Sequence, residues 1–248
     1  MAAILQVRAV KADLSRMGKK VLLVEGLDDW HAISHLIHLS TGAFPTYELG
    51  HRENDDGVLD VLSGMTEASA KTQVVLGAVF DADQCTEGEF GHVGIEARIR
   101  ELQGQLGKFY AIPAQFPEKG LILPPTEKVD QDRLPVLGIW LMPDNVRNGI
   151  FEDLLRAAMA PESEKYISGV IDQATKDGMT GFREVERPKA IVKTHIAWQD
   201  PNKKNLGEAI RSHFDNLAPA CKPFLEWLER LFGELPPTNQ TTVGANGE

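Results

Sequence analysis

The chain has 248 residues, 42% hydrophobic and 25% charged, which is apolar enough to bury the core of one large α/β domain. Its 26 Lys plus Arg stand against 36 Asp plus Glu, a formal net charge of −10. That balance excludes a general basic coat for nucleic acid, since such coats work by Lys and Arg displacing counterions, and two cysteines, Cys85 and Cys221, exclude a disulfide framework.

From the N-terminus, Met1 to Lys20 carries Arg8, Lys11, Arg16, Lys19 and Lys20 with no apolar segment leading to a cleavage site. No later run approaches the roughly 18 apolar residues of a membrane span, so a cytoplasmic chain without membrane contact is expected. Val21 to Val24 is a continuous apolar run of the kind found in a parallel strand covered on both faces. Asp28 to Leu39 reads as a helix, Thr46 to Leu49 as a weak strand, and Val58 to Ala70 as a second helix. Val74 to Phe80 is the strongest strand, followed by a helix over Gly94 to Leu106 and a weak strand over Phe109 to Ile112. Residues 113–134, with four prolines, read as a loop or hairpin insertion before a third strong strand, Val136 to Met142.

After Pro143 the spacing turns helical over Ile150 to Ala160, Glu164 to Lys176, Pro188 to Gln199, Leu206 to Phe214 and Lys222 to Phe232. Pro188 and Pro223 fall in first turns. The expected organisation is an α/β core over 1–145, a helical extension packed on it over 146–235, and a disordered polar tail over 236–248.

The acids sit where the strands end. Val21 to Val24 runs into Glu25-Gly26 and then Asp28 and Asp29, and Val74 to Phe80 runs into Asp81-Ala82-Asp83. In an open α/β sheet ligands bind outside the carboxyl ends of the strands, and neighbouring strands are about 4.8 Å apart. Glu25, Asp81 and Asp83 can therefore converge, and carboxylates that close call for a cation; hard oxygen ligands suit Mg²⁺ or Mn²⁺. The competing reading is that Asp28 or Asp29 caps the helix that follows.

The segments Val24-Glu25-Gly26-Leu27-Asp28-Asp29 and Val79-Phe80-Asp81-Ala82-Asp83 resemble the TOPRIM domain, the catalytic module shared by type IA and II topoisomerases, DnaG-type primases, RecR recombination-repair proteins and OLD-family nucleases. The resemblance covers 19–142 and implies a Rossmann-like, mainly parallel sheet flanked by helices, with Mg²⁺ held by Glu25, Asp81 and Asp83. The segments Ile139 to Asn145, Gly149 to Asp153 and Thr194 to Gln199 are similar to stand-alone bacterial TOPRIM proteins of uncharacterised function. Topoisomerase gate, primase zinc ribbon and ATPase portions are not recognised in the sequence.

Asp144 and Asn145 follow the third strong strand and Glu152 and Asp153 open the next helix, so Asp144, Glu152 and Asp153 are candidates for a second metal. Equally, Asn145 is a turn residue and the two acids complement a helix dipole. Arg187, Lys189, Lys193, Lys203, Lys204 and Arg211 form a local basic excess, from which Lys193 is the candidate transition-state cation. Gly26, Asp29, Asn145, Lys189 and His195 complete the set as candidate substrate contacts. His31, His35 and His38 are expected on an exposed helix face opposite Ile33, Leu36 and Ile37, with no zinc partner nearby.

The expectation is a Mg²⁺- or Mn²⁺-dependent phosphoryl-transfer enzyme, foremost a nuclease on DNA or RNA, with Glu25 as metal ligand or general base, Asp81 and Asp83 as metal ligands and Lys193 as the cation. The alternatives are a non-catalytic TOPRIM scaffold binding nucleic acid or a protein partner, such as one encoded nearby, and a nucleotide or small-phosphoester transferase. A homodimer stays open.

Overall fold

The computed structural model describes residues 19–41, 47–51, 58–60, 62, 64, 74–83, 94–126, 134–202, 206–214 and 217–233. The basic stretch before Lys19, most of the 58–70 helix, Cys85, Lys203, Lys204 and the tail from 236 lie outside the described residues.

Strands β1 (Lys20–Val24), β2 (Glu48–His51), β3 (Val75–Asp81), β4 (Leu121–Leu123) and β5 (Val136–Met142) make one sheet in the order β2-β1-β3-β5-β4. All neighbours run parallel except β4, which pairs antiparallel with β5. The helices are α1 (Leu27–Thr41), α2 (Gly94–Leu106), α3 (Phe151–Ala157), α4 (Pro161–Lys176), α5 (Arg187–Gln199), α6 (Leu206–His213) and α7 (Leu217–Phe232). The fold is thus α/β, with a mixed, mainly parallel sheet flanked by helices and a helical C-terminal part. Among the described residues no helix is long and apolar enough to cross a membrane.

Successive strand residues face opposite sides, and the apolar runs therefore feed two cores. Val21, Leu23, Ala78, Phe80, Ile139 and Leu141 pack with Ile99, Leu102 and Leu106 of α2. Leu22, Val24, Val79, Trp140 and Met142 face the other way, into a cluster shared with α1 and α3 to α7. Among the described residues the C-terminal helices therefore have no core apart from the sheet's.

Helix α7 comes closest. Gly77 and Gly138 are register partners on β3 and β5, and a Cβ on Gly138 would stand 2.2 Å from Leu231 Cδ2. A Cβ on Gly77 would stand 3.0 Å from Leu231 and from Phe232. The missing side chains make a trough that Leu231 fills. Trp227 Nε1 donates to Leu121 O of the edge strand at 3.1 Å, and Tyr47 stacks on Phe232 with centroids 3.9 Å apart.

Three expectations change. Phe109 to Ile112 is not a strand: α2 ends in a tight turn in which Phe109 N and Tyr110 N both donate to Leu106 O, and Tyr110 is buried with its hydroxyl on Pro135 O at 2.9 Å. The apolar residues there dock individually, and the added strand is β4, inside the proline-rich insertion. Pro223 is not in a first turn, because α7 starts at Leu217. The histidine face of α1 is not open to solvent: α6 crosses it at Gly207, where a Cβ would meet His35 Cδ2 at 2.6 Å and His31 O at 2.9 Å.

Candidate functional site

The carboxyl ends of β1 and β3 lie side by side, and the acids that end them meet there. Asp81 N–H donates to Glu25 Oε1 at 3.1 Å, tying the two strand ends together. Asp81 Oδ1 accepts the N–H of Phe151 at 3.0 Å, and Ala82 N–H donates to Gly149 O at 2.9 Å, which brings the start of α3 to the same edge. Gly26 N–H donates to Asp29 Oδ2 at 3.1 Å and Gly26 O accepts from Trp30 N at 3.0 Å, so Asp29 folds back over the turn into α1.

Helix α5 lies across from this edge. Lys189, Val192, Lys193, Ile196 and Ala197 share one of its faces, at the i, i+3, i+4, i+7 and i+8 spacing of a helix stripe. The helix is held by Arg187 Nη2 on Asp172 Oδ1 at 2.6 Å, by Pro188 in its first turn, and by His195 Nε2 on His213 O at 2.7 Å. Between α5 and the sheet edge is a cleft of about 710 Å³. Glu25, Asp28, Asp29, Asp81 and Glu152 supply its acids and Lys189 and Lys193 its cations. Gly26, Leu27 and Leu206 complete the lining with the apolar residues of α5.

Crowded, partly dehydrated acids hold their protons. Burial first, then Glu25, Asp29, Glu152 and Asp83, push the Asp81 carboxyl well above the usual carboxylate range. Burial pushes Glu152 up to about 7, against the opposing pull of Lys189. Asp29 is also raised by burial, with Lys189 and the Gly26 N–H opposing. Burial would lower Lys189, but Glu152, Asp81, Asp29 and Asp83 outweigh it and the ammonium is held more firmly than usual.

Of the expected residues, Glu25, Gly26, Asp29, Asp81, Glu152, Lys189 and Lys193 line the cleft. Asp83 does not line it, though Asp81 and Lys189 both feel its charge; its backbone turns at φ 21°. Among the described residues no three Asp, Glu, His or Cys stand close enough to hold an ion together, so Glu25, Asp81 and Asp83 do not gather at one point. Glu25 is instead turned onto the Asp81 backbone.

Asp144, Asn145, Asp153 and His195 lie outside the cleft lining and have structural partners. Asp144 accepts from Val146 N and Arg147 N and pairs with Arg147 Nε at 2.5 Å. Asp153 Oδ2 caps Ile150 N at 3.1 Å, and its other oxygen meets Arg156 at 3.1 Å. Asn145, buried at φ 65°, accepts from Leu141 N at 2.8 Å and so fastens the turn after β5.

Arg98 went unnoticed in the sequence. It is 1% exposed, its guanidinium lies 5.4 Å from the Phe80 ring centroid, and it reaches Glu101 at 2.7 Å and Glu25 at 4.0 Å. The signal was an arginine inside the apolar stripe Ile95, Ile99, Leu102, Leu106 of α2. Its close partner is Glu101, and Glu25 lies at the outer limit of an ion pair.

No curated protein and no solved structure matches the chain. A family model does match, over residues 19–233, which takes in every strand and helix of the described residues and all of the cleft. The chain belongs to the family described as protein of unknown function, DUF3226.

Proposed function

We propose that the chain is a TOPRIM-like, Mg²⁺- or Mn²⁺-dependent phosphoryl-transfer enzyme whose substrates are nucleic acids or nucleotides. The observation that carries this reading is Asp81: a carboxyl at the end of a central strand, lining a cleft, with four other acids raising its proton affinity and two lysines lining the same cleft. Such a group is costly to ionise without a cation. The donors fit the ion, because Mg²⁺ keeps several waters and needs only one or two carboxylates; Asp81 with Glu25 or Asp29 would serve. When bound, the ion would polarise a phosphoryl oxygen and lower the pKa of a water.

The protein's own part is to place and charge the phosphate's surroundings. Lys189 and Lys193 line the cleft as donors for phosphoryl oxygens, where charge develops in the transition state. Hydrolysis forms a bond from a water oxygen to phosphorus, breaks the ester P–O bond, and moves one proton from the water side to the leaving oxygen. Glu152, at about 7, can hold that proton near neutral pH and give it up. The Asp81 N–H holds Glu25 at the sheet edge, and the Arg98 guanidinium 4.0 Å away adds positive charge beside it.

The test is incubation of the protein with linear and circular DNA, with RNA and with nucleoside mono- and triphosphates, in Mg²⁺, Mn²⁺ or EDTA, beside Asp81→Asn. Metal-dependent cleavage that falls about 100-fold or more in the variant is expected. Equal cleavage by both proteins, or none by either, overturns the reading.

A non-catalytic scaffold is the second reading, and Lys189 favours it, since an ammonium lining the cleft with the acids already offsets part of their charge. Calorimetry separates the two: a scaffold takes up no Mn²⁺.

A further inference from the structure

A phosphate and an ion need no hydrocarbon, yet the cleft has a good deal of it. Leu27, Ala197 and Leu206, from α1, α5 and α6, contribute open apolar surface to its lining, which also includes the buried Val192 and Ile196. Leu27 is 45% exposed although Glu25, Asp28 and Asp29 surround it in sequence. Ala197 is exposed as well, on the α5 face that also bears Lys189 and Lys193. Apolar surface kept open beside charged groups is where a ligand's own apolar body loses its water. At about 710 Å³ the cleft falls within the roughly 300–1,000 Å³ of small-molecule sites.

Resting on the phosphoryl-transfer reading, we propose that the cleft binds a phosphoester carrying one unpaired nucleobase, its phosphate toward Asp81, Lys189 and Lys193 and its base on the hydrocarbon of α5, α6 and Leu27. A free nucleotide and the terminal nucleotide of a single strand present the same chemistry. A closed duplex does not, because its bases are stacked and taking one out costs a few kcal/mol. Five acids in the cleft lining also repel the phosphates on either side of the one that enters.

The experiment follows a fluorescent adenosine monophosphate binding to the full chain with and without Mn²⁺. Its competitors are unlabelled adenosine monophosphate, a linear single strand, the same strand circularised and a closed duplex circle. The nucleotide is expected to bind and both circles to compete about tenfold or more weakly than the better of the other two. A linear strand that outcompetes the free nucleotide assigns the strand end as the source; the reverse order assigns the nucleotide. In Ala197→Trp an indole enters the cleft from an exposed position, and nucleotide affinity is expected to fall about tenfold while calorimetric Mn²⁺ binding is unchanged.

Circles that compete as well as free ends, or nucleotide affinity unchanged in Ala197→Trp, overturn the proposal. A chain that binds Mn²⁺ but no nucleotide overturns it and spares the metal reading. A chain that binds the nucleotide without taking up Mn²⁺ does the reverse.

Discussion

Glu152 has a carboxyl that burial pushes up to about 7, with Lys189, Asp29 and Lys193 facing it and Asp81 sharing the cleft. Its folded pKa lies above the ordinary 4.5, so the stability it contributes is fully present below about pH 4.5 and is lost as the pH rises through 7. Asp29 and Asp81 are raised too and act in the same direction. Thermal melts in EDTA should therefore show a fall in Tm from pH 5 to pH 8, and the fall should be smaller in Glu152→Gln. Glu152 alone is worth about 3 kcal/mol at most across that window. An ion that favours the charged carboxylates works against the fall, and Mg²⁺ should raise Tm more at pH 8 than at pH 5. A Tm in EDTA that rises with pH, or that falls equally in the variant, would show that these acids are not set as described.

Helix α7 depends on the glycine trough beneath it, and the dependence can be measured against a neutral control. Gly138→Ala places a methyl 2.2 Å from Leu231 Cδ2, so strand or helix must move, at a cost of about 1–3 kcal/mol. Gly104→Ala, in α2, meets nothing within 4 Å and should gain about 0.5–1 kcal/mol from helix propensity. Urea unfolding of both variants checks the pair; a harmless Gly138→Ala would mean that α7 does not seat on β5 as closely as the structure has it. The trough also marks where reading a sequence stops. The apolar runs of β1, β3 and β5 are legible because strands covered on both faces need no alternation, and Glu25 and Asp81 are legible because each directly follows or ends such a run. Gly77 and Gly138 acquire meaning only once β3 and β5 are in register. The same limit divides the site residues. Asp144 and Asp153 are the right type at the right edge, but each has an arginine three residues on, Arg147 and Arg156, that pairs with it. That spacing was readable, whereas the arrival of α5 opposite Asp81 was not, since the seating of α5 on its neighbours sets it.

The net charge of −10 bears on how any substrate reaches the cleft. A protein that grips a nucleic-acid backbone with many lysines releases one counterion for nearly every phosphate it neutralises, and its affinity falls steeply with salt. Here the cleft offers two lysines, Lys189 and Lys193, amid five acids. If both meet phosphate, a single strand should show a plot of log affinity against log salt no steeper than about −1.4, from roughly −0.7 for each phosphate neutralised. The acids repel a long strand most at low salt, where screening is weakest, and that repulsion flattens the slope further. Binding measured with fixed Mn²⁺ between low and moderate NaCl should therefore change little for an oligonucleotide and hardly at all for a mononucleotide. A slope of about −4 or steeper would require several more phosphate contacts than the cleft provides, and would move the search for the substrate track away from α5.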